Sequence, residues 1–246
     1  MVGVFITARL GSTRLSEKHL IEVKGKPLIK WLVDRFRAEF SNEIIENKLK
    51  IIVATSINPE NQKFESILDR KEVEIFYGSD ENIPLRHLEC AEKYDIDHII
   101  SIDGDDILCS TEAARIVMKS LLSGARIVQT LGLPIGMNVT GYSCEFLRRS
   151  LKGKMDNKLE TGWGKIFDKN EMSLIQMRDH FSFQKIRMTL DYKEDADFFN
   201  EVILSTDIIN ITDHSLLSKI IANKWNEINL HLADEYWANF NEKMNE

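Results

Sequence analysis

A short stretch near the start of the chain combines cations with small residues in a way that suits anion binding. ARLGSTRLSEKHL, residues 8–20, follows the apolar run 2–7 and carries Arg9, Arg14 and Lys18 around a Gly-Ser-Thr sequence. Small residues let backbone N–H groups approach an anion, and arginine binds phosphate oxygens in a forked geometry. The spacing matches neither the GxxxxGK[ST] phosphate loop nor the GxGxxG dinucleotide fingerprint. The stretch predicts either another kind of phosphate-binding loop or an ordinary solvated loop with scattered cations.

Carboxylates follow two later apolar runs. SIDGDDIL carries Asp103, Asp105 and Asp106, with a glycine that permits a sharp turn, and RMTLD ends in Asp191. Mg²⁺ prefers oxygen ligands and is commonly held by one or two carboxylates together with substrate phosphates. The aspartates of SIDGDDIL are therefore candidates for a metal site. The alternative is that Asp103 and Asp106 form a turn or cap the next helix; we favour this structural role for Asp106 and keep Asp103 as a secondary site candidate.

The elements that must position these residues alternate along the chain. Short apolar runs rich in Ile and Val (VGVFITA, LKIIVATS, VEIFYG, HIISIDG, ARIVQTLG) are separated by stretches of helical period, including a polar one near 59–69. Such strands are typical of a parallel sheet covered by helices on both faces. We predict an α/β fold, a three-layer sandwich with a mostly parallel sheet, and a further strand ending at Asp191 with a helix behind it. Ligands of such sheets bind beyond the carboxyl ends of the strands, where the basic loop and the aspartates lie.

Composition limits the function further. The chain has 246 residues, 43% of them hydrophobic, and no visible linker, so we expect a single domain over 1–246. A net charge of −7 argues against binding along a nucleic-acid backbone. No apolar window is long enough to span a membrane, and no signal peptide is apparent. Cys90, Cys109 and Cys144 lie far apart, as expected of free thiols in a cytoplasmic protein.

Four blocks of the sequence resemble the cytidylyltransferases that activate acidic sugars. TARLGSTRLSEKHLIEVKGKPLI is similar to the family pattern A-R-x-G-S-x-R-L-P-x-K followed by G-K-P-L. YGSDENIPLRHLECAEKY, SIDGDD and RMTLDYKEDADFF follow in the family's order. The chain most resembles the branch named after spore coat polysaccharide biosynthesis protein F, related to the synthetases of CMP-Kdo and CMP-sialic acid. Ser16, His19 and Ile107 stand where the family usually has proline, which bears on the substrate more than on the reaction.

The resemblance implies a nucleotide-diphospho-sugar transferase fold, GT-A-like and Rossmann-like, and a reaction. CMP would pass from CTP to an acidic or modified sugar of the 2-keto-3-deoxy sugar acid type, with release of pyrophosphate, for cell-surface polysaccharide biosynthesis. The residues implied to be catalytic are Arg14, Lys18, Asp105 and Asp191. Those implied to bind the nucleotide are Ala8, Arg9, Gly11, Ser12, Arg14, Lys18, Ser79 and Asp103, with Lys26 a weaker candidate. Asp105 and Asp191 would hold Mg²⁺, and Asp195 would support the site through a hydrogen bond.

Two alternatives and one assembly prediction accompany this interpretation. The protein could instead transfer a nucleotide to a sugar phosphate or polyol phosphate, or be a non-catalytic nucleotide-binding module. Two metal carboxylates favour an enzyme, because a mere binder does not need them. Since the related synthetases are typically dimers, we expect a homodimer. The segment 132–182, which includes a long irregular stretch at 156–170, is expected to form the interface or contact the substrate.

Overall fold

One sheet organises the residues that this computed structural model describes, namely 1–160, 162–177 and 186–232. The strands are β1 Val2–Thr7, β2 Glu22–Val23, β3 Lys26–Pro27, β4 Leu49–Ser56, β5 Glu74–Gly78, β6 His98–Asp103, β7 Ile127–Leu131, β8 Thr140–Ser143 and β9 Met172–Gln176. The α-helices are α1 Leu28–Glu39, α2 Ser41–Ile45, α3 Phe64–Ile67, α4 Ile83–Lys93, α5 Thr111–Leu122, α6 Cys144–Ser150, α7 Lys193–Ser205 and α8 Asp213–Ala222.

The main sheet is mostly parallel, as predicted. Its strand order is β5-β4-β1-β6-β8-β7-β9, and β2 and β3 form a separate two-stranded hairpin. β5, β4, β1 and β6 run parallel, β8 is antiparallel to both of its neighbours, and β9 is parallel to β7. Parallel strands of this kind place all their carboxyl ends at one edge, where the loops that follow β1 and β6 come together.

Helices cover both faces of the sheet, which confirms the three-layer arrangement. Successive side chains of a strand point to opposite faces, and β1 shows this directly. Val4 and Ile6 belong to an apolar core with residues of α1, α5, α7 and α8. Phe5 belongs to a second core with residues of α4 and α6. Because both faces are buried, the strands read as almost continuous apolar runs.

The ends of β1 and β6 are joined closely enough to require a glycine. Thr7 lies opposite Asp103 in the parallel register, and Gly104 N donates to Thr7 O at 2.8 Å. A Cβ on Gly104 would lie 2.7 Å from the Cβ of Ala8 and 2.9 Å from Thr7 O. Glycine therefore lets the turn after β6 approach the start of the basic loop.

The chain just before Asp191 differs from the predicted strand. Within the described part of the segment, 186–191, the structure has one isolated bridge, Ile135 to Arg187. The backbone of this segment forms hydrogen bonds to loops instead. Met188 N donates to Ile135 O and Leu190 N donates to Asp105 O, both at 2.9 Å. The polar stretch near 59–69 also differs: it is a 3₁₀ helix, Pro59–Lys63, followed by the single turn of α3.

Part of the segment 132–182 belongs to the core of the domain. It supplies β8, α6 and β9, and β8 lies between β6 and β7 within the sheet. β8 has only four residues, and Tyr142 is its one large apolar side chain, so the periodic pattern of a strand is missing. The interface prediction remains a prediction, and residues 161 and 178–182 of the segment lie outside the described residues.

The cysteine side chains, all within the described residues, form no disulfide bond. The three cysteines are buried and unpaired. In the described ranges, no helix combines the length and apolar character that a membrane crossing requires.

Candidate functional site

The basic loop follows β1 and is held in place by a buried asparagine. Asn61 Oδ1 accepts from Leu10 N at 2.8 Å, while Asn61 Nδ2 donates to Ser56 O at 3.1 Å. Asn61 is fully buried, so both ends of its amide are used to fasten the loop to the end of β4. Sequence reasoning missed this residue, because a polar side chain in a short helix gives no sign of being buried.

The loop borders a cavity of about 260 Å³ at the carboxyl ends of the strands. Its lining contains all but one of the residues predicted to bind the nucleotide, together with Asp105: Ala8, Arg9, Gly11, Ser12, Arg14, Lys18, Asp103 and Asp105. We call this space the first cavity. It also contains residues that sequence reasoning did not select, among them His19, Arg86 and Glu160.

Two residues predicted to bind the nucleotide, Ser79 and the weaker candidate Lys26, lie outside the lining of the first cavity. Ser79 is in a turn in which its Oγ accepts from Asn82 N at 3.2 Å, and the neighbouring Asp80 lines the cavity instead. Lys26, the weaker candidate, forms an ion pair with Asp34 at 2.8 Å and lies over the ring of Trp31. A local hydrogen bond and a local ion pair account for these two side chains.

Lys18 brings the two candidate metal ligands together. Its Nζ lies 2.7 Å from Asp105 Oδ2 and 3.2 Å from Asp191 Oδ1. The lysine side chain is only 7% exposed, so this contact is enclosed by protein. The two carboxylates thus converge on one ammonium group, although they lie 86 positions apart in the sequence.

Asp191 is the centre of a buried charge network. Arg14 and Lys18 contact its Oδ1, and Arg187 NH2 contacts its Oδ2 at 3.1 Å. Burial raises the pKa of Asp191, but the charges of Lys18, Arg14 and Arg187 outweigh burial and bring the pKa below its ordinary value. Asp191 does not itself line the first cavity; it lies behind the two cations of the loop.

Asp195, expected to support the site through a hydrogen bond, accepts hydrogen bonds from the backbone next to it. Its Oδ2 accepts from the backbone N of Asp191 at 2.9 Å and from that of Tyr192 at 3.0 Å. The same carboxylate receives Arg187 Nε on Oδ1 at 2.9 Å. A buried carboxylate that accepts backbone N–H groups at the start of α7 orients the main chain of Asp191, because its own position is held by several donors.

His19 also lies beside Asp105. Its Nε2 is 3.4 Å from Asp105 Oδ1, and the side chain is 2% exposed. Burial lowers the pKa of His19 to about 4 despite the nearby carboxylate. The ring is therefore neutral at pH 7.

Asp103 connects the first cavity to a second one. The second cavity has a volume of about 600 Å³, and Asp103 lines both. Its other walls combine polar, aromatic and apolar side chains, including Gln129, Asn138, Thr140, Trp163, Lys165, Phe167, Lys169, Met172 and Leu174. Asp103 is an exposed residue that is open to both cavities.

Asp106 belongs to the turn after β6, one of the two structural roles predicted for it, and it does not cap α5. Its backbone N donates to Asp103 O at 3.0 Å, closing the turn after β6. The cap of α5 is Ser110, whose Oγ accepts from Ala113 N at 2.8 Å. The side chain of Asp106 lines the second cavity.

Two further charged residues shape the first cavity. Glu160 receives both Nη atoms of Arg9, at 2.8 and 3.0 Å. Arg86 is buried and donates to the carbonyl oxygens of Ser79 at 2.8 Å and Asp80 at 3.1 Å. Burial lowers the pKa of Arg86 to about 10. In the first cavity, Arg86 therefore holds the loop after β5, and Glu160 forms an ion pair with Arg9 of the basic loop.

The donor set fits a hard divalent cation whose coordination is completed by a ligand. In the ranges that the structure describes, no three His, Cys, Asp or Glu side chains form a ready-made metal cluster. Asp105 and Asp191 nevertheless direct oxygens at one position that already holds a cationic group. Mg²⁺ is commonly bound by one or two carboxylates, with phosphate oxygens and water filling the remaining positions.

Comparisons with known proteins identify the family and the fold. A family model described as cytidylyltransferase matches residues 4–185. The chain is 27% identical over 173 residues to 3-deoxy-manno-octulosonate cytidylyltransferase of Photobacterium profundum, covering 63% of this chain and 65% of that protein. A cytidylyltransferase structure from Leptospira borgpetersenii has a TM-score of 0.76 at 19% identity, covering 92% of this chain and 95% of that one. CMP:2-keto-3-deoxy-manno-octonic acid synthetase, solved in complex with CTP, has a TM-score of 0.58 at 11% identity, covering 83% and 98% respectively. The structural likenesses establish the shared fold.

Proposed function

The chain belongs to the cytidylyltransferase family, and we propose that it transfers CMP from CTP to an acidic or modified sugar of the 2-keto-3-deoxy sugar acid type. The observation that carries this proposal is the convergence of the basic loop and two distant carboxylates at one edge of the sheet. In this arrangement the acceptor oxygen bonds to the α-phosphorus, the bond from that phosphorus to the bridging oxygen breaks, and pyrophosphate leaves. The hydroxyl proton passes to solvent.

The first cavity supplies what a triphosphate requires. Arg9, Arg14 and Lys18 offer charged donors from one loop, and Gly11 and Ser12 leave room for backbone N–H groups to approach phosphate oxygens. Phosphoryl transfer depends mainly on positioning and on charge stabilisation, because negative charge accumulates on the leaving pyrophosphate. A loop with three cations in a protein of net charge −7 is suited to that task.

Asp105 and Asp191 are the residues that would hold Mg²⁺. When bound, the ion would neutralise phosphate charge and orient the phosphate oxygens. The chain's own contribution is to aim both carboxylates at one position, with Asp191 oriented by Arg187 and Asp195.

The second cavity is the proposed acceptor site. It meets the first at Asp103, so a sugar bound there lies next to the phosphates. Trp163 and Phe167 can pack against the apolar face of a sugar ring, while Gln129, Asn138 and Thr140 offer hydrogen bonds to hydroxyl groups. Lys165 and Lys169 are suited to an acidic group.

We also propose the biological setting. The four motif blocks favour the branch of spore coat polysaccharide biosynthesis protein F, so the activated sugar would serve cell-surface polysaccharide synthesis. Free buried thiols agree with a cytoplasmic protein.

A homodimer formed through the segment 132–182 is supported by β9, in which Leu174 is 58% exposed. Light scattering at micromolar concentration tests the dimer, and a monomer would contradict it.

Pyrophosphate release tests the reaction. The full-chain protein with Mg²⁺ is incubated with each of the four nucleoside triphosphates, crossed with 2-keto-3-deoxy sugar acids, sugar phosphates and polyol phosphates. Release with CTP that depends on a sugar acid supports the proposal. Release that depends on a sugar phosphate or polyol phosphate would favour that class of acceptor, and nucleotide binding without release would favour a binding module.

A further inference from the structure

The cationic group of Lys18 lies where a divalent ion would have to bind. Asp105 Oδ2 and Asp191 Oδ1 both contact its Nζ, at 2.7 and 3.2 Å. On the basis of the proposed function, we infer that Lys18 blocks the metal position in the nucleotide-free protein. The ion then binds tightly only after a triphosphate has drawn the lysine away from the two carboxylates.

The first step is that the lysine and the ion need the same oxygens. Mg²⁺ requires carboxylate oxygens at about 2.1 Å in near-octahedral geometry. An ammonium held between the same two oxygens fills that space, and two cations at this distance repel each other strongly inside protein. The side chains of Lys18 and Asp191 are only 7% and 3% exposed, so solvent does little to weaken the repulsion.

The second step is that a triphosphate offers the lysine another partner. Lys18 lines the first cavity, where the phosphates are expected to bind. Phosphate oxygens accept strong charge-assisted hydrogen bonds, and the flexible stem of lysine allows its ammonium group to move without movement of the backbone.

The third step is that Asp191 stays in place when the lysine leaves. Arg187 contacts Asp191 Oδ2 at 3.1 Å, and Asp195 Oδ2 accepts from the Asp191 backbone N at 2.9 Å. Neither contact involves the basic loop. Arg14, the other loop cation on Asp191 Oδ1, also lines the first cavity and can turn toward the same phosphates. The carboxylate therefore remains aimed at the same position when the loop cations move to the triphosphate.

The consequence is a coupling between nucleotide and metal. Each should raise the affinity of the protein for the other by the same factor, on the order of 10- to 100-fold. Removing the charge of Lys18 should weaken this coupling in the nucleotide-free protein, because Asp105 Oδ2 would lose this cation and Asp191 Oδ1 would keep only Arg14.

Mn²⁺ is the probe that tests this inference. Its affinity for the full-chain protein is measured without nucleotide, from the electron paramagnetic resonance signal of free Mn²⁺, for the wild type and for Lys18→Met. We expect the variant to bind Mn²⁺ about tenfold more tightly than the wild type. Lys26→Met is the control: it removes a lysine that is likewise paired with an aspartate, here Asp34, and it should leave Mn²⁺ affinity unchanged.

Equal or weaker Mn²⁺ binding by Lys18→Met would overturn the inference. Circular dichroism reports whether the variant folds, and Lys18→Gln, which keeps a hydrogen-bonding side chain, replaces it if it does not. Calorimetric titration of the wild type with CTP in the presence of saturating Mg²⁺ separates this inference from the proposed function. Absence of CTP binding there contradicts the nucleotide site itself, whereas CTP binding with unchanged Mn²⁺ affinity in the lysine variants overturns only the inference about Lys18.

Discussion

The guanidinium group of Arg14 donates to Oδ1 of Asp191, 177 positions further along the chain. The arginine side chain is 35% exposed and the aspartate side chain only 3% exposed. Arg14 thus reaches from the open first cavity to a carboxylate buried behind it. This pair connects the loop after β1 to the segment before α7, and it leaves part of the guanidinium free to meet a ligand in the cavity.

Arg14→Ala should weaken CTP binding. The variant loses the paired hydrogen bonds of the guanidinium group to phosphate oxygens. We therefore expect CTP binding, measured by calorimetry, to weaken by about 1.5–3 kcal/mol. Arg148→Ala, which removes a surface arginine paired with Glu92 at 3.1 Å, is the control and should bind CTP as the wild type does. Unchanged CTP affinity in Arg14→Ala would remove the basic loop from the nucleotide site.

Asp105→Asn and Asp191→Asn should each lower the rate of pyrophosphate release on the order of 100-fold or more, by analogy with the loss of one electrostatic stabiliser in other enzymes. The double variant should be little worse than either single variant, because both residues serve one ion. Rates are measured across a Mg²⁺ titration. Near wild-type turnover of either variant at limiting Mg²⁺ would show that the metal position is wrong.

The same two variants should differ in stability. The side chain of Asp105 is 31% exposed, whereas that of Asp191 is 3% exposed and faces three cations. Neutralising a buried partner of several cations costs about 3–5 kcal/mol, so Asp191→Asn should unfold at clearly lower urea concentration than Asp105→Asn. Equal urea midpoints would mean that the network around Asp191 contributes little to stability.

Glu160→Gln should strengthen CTP binding. Glu160 lines the first cavity and pairs with Arg9, so its charge both repels a triphosphate and occupies one of its cations. The pair is partly exposed, and we expect a gain of about 0.5–1 kcal/mol in binding free energy by calorimetry. Glu92→Gln, outside the lining of the cavity, is the control. Weaker CTP binding by Glu160→Gln would indicate instead that Glu160 orients Arg9 for the nucleotide.

His87 should make the folded protein sensitive to acid. It is fully buried, with Nε2 2.8 Å from Thr7 Oγ1 and Nδ1 2.6 Å from the hydroxyl of Tyr142. Burial, with a smaller effect of Arg86, lowers the pKa of His87 from 6.5 to about 3. Between these values the unfolded chain takes up a proton that the folded protein does not. The histidine thus lowers the free energy of unfolding as pH falls, by about 2 kcal/mol at pH 5.

Urea unfolding at about pH 7.5 and about pH 5 checks this sign. His87→Gln is expected to lose less stability between the two values than the wild type does, even if it is less stable at the higher pH. A wild type and variant that lose the same amount would contradict a neutral buried His87.

The sheet could be predicted from the sequence because β1, β4 and β6 are buried on both faces and read as apolar runs. β8 could not be predicted, since Thr140–Ser143 contains one large apolar residue and its place in the sheet depends on long-range pairing. The extended segment before Asp191 reads like a strand, yet its backbone bonds to loops such as the one after β6.

The residues of the candidate site, too, could be predicted only in part from the sequence. Cations around small residues, and carboxylates after strands, indicated Arg14, Lys18 and Asp105 directly, whereas the place of Asp191 beside them depended on the family motif. Arg86 and Glu160 gave no signal, because a charged residue on a helix or loop is usually solvated. Their roles come from tertiary contacts, the backbone carbonyls around Arg86 and the guanidinium group that Glu160 binds.

³¹P nuclear magnetic resonance shows whether this chain joins CMP to an acidic sugar. The full-chain protein is incubated with CTP, Mg²⁺ and the sugar acid that gives the most pyrophosphate in the acceptor panel. We predict that the triphosphate resonances give way to pyrophosphate and to one phosphodiester resonance of the CMP-sugar, and that neither product forms with the double variant of Asp105 and Asp191. If CTP stays intact, or if it yields CMP and pyrophosphate without a sugar ester, the proposed transfer of CMP to a sugar acid is wrong.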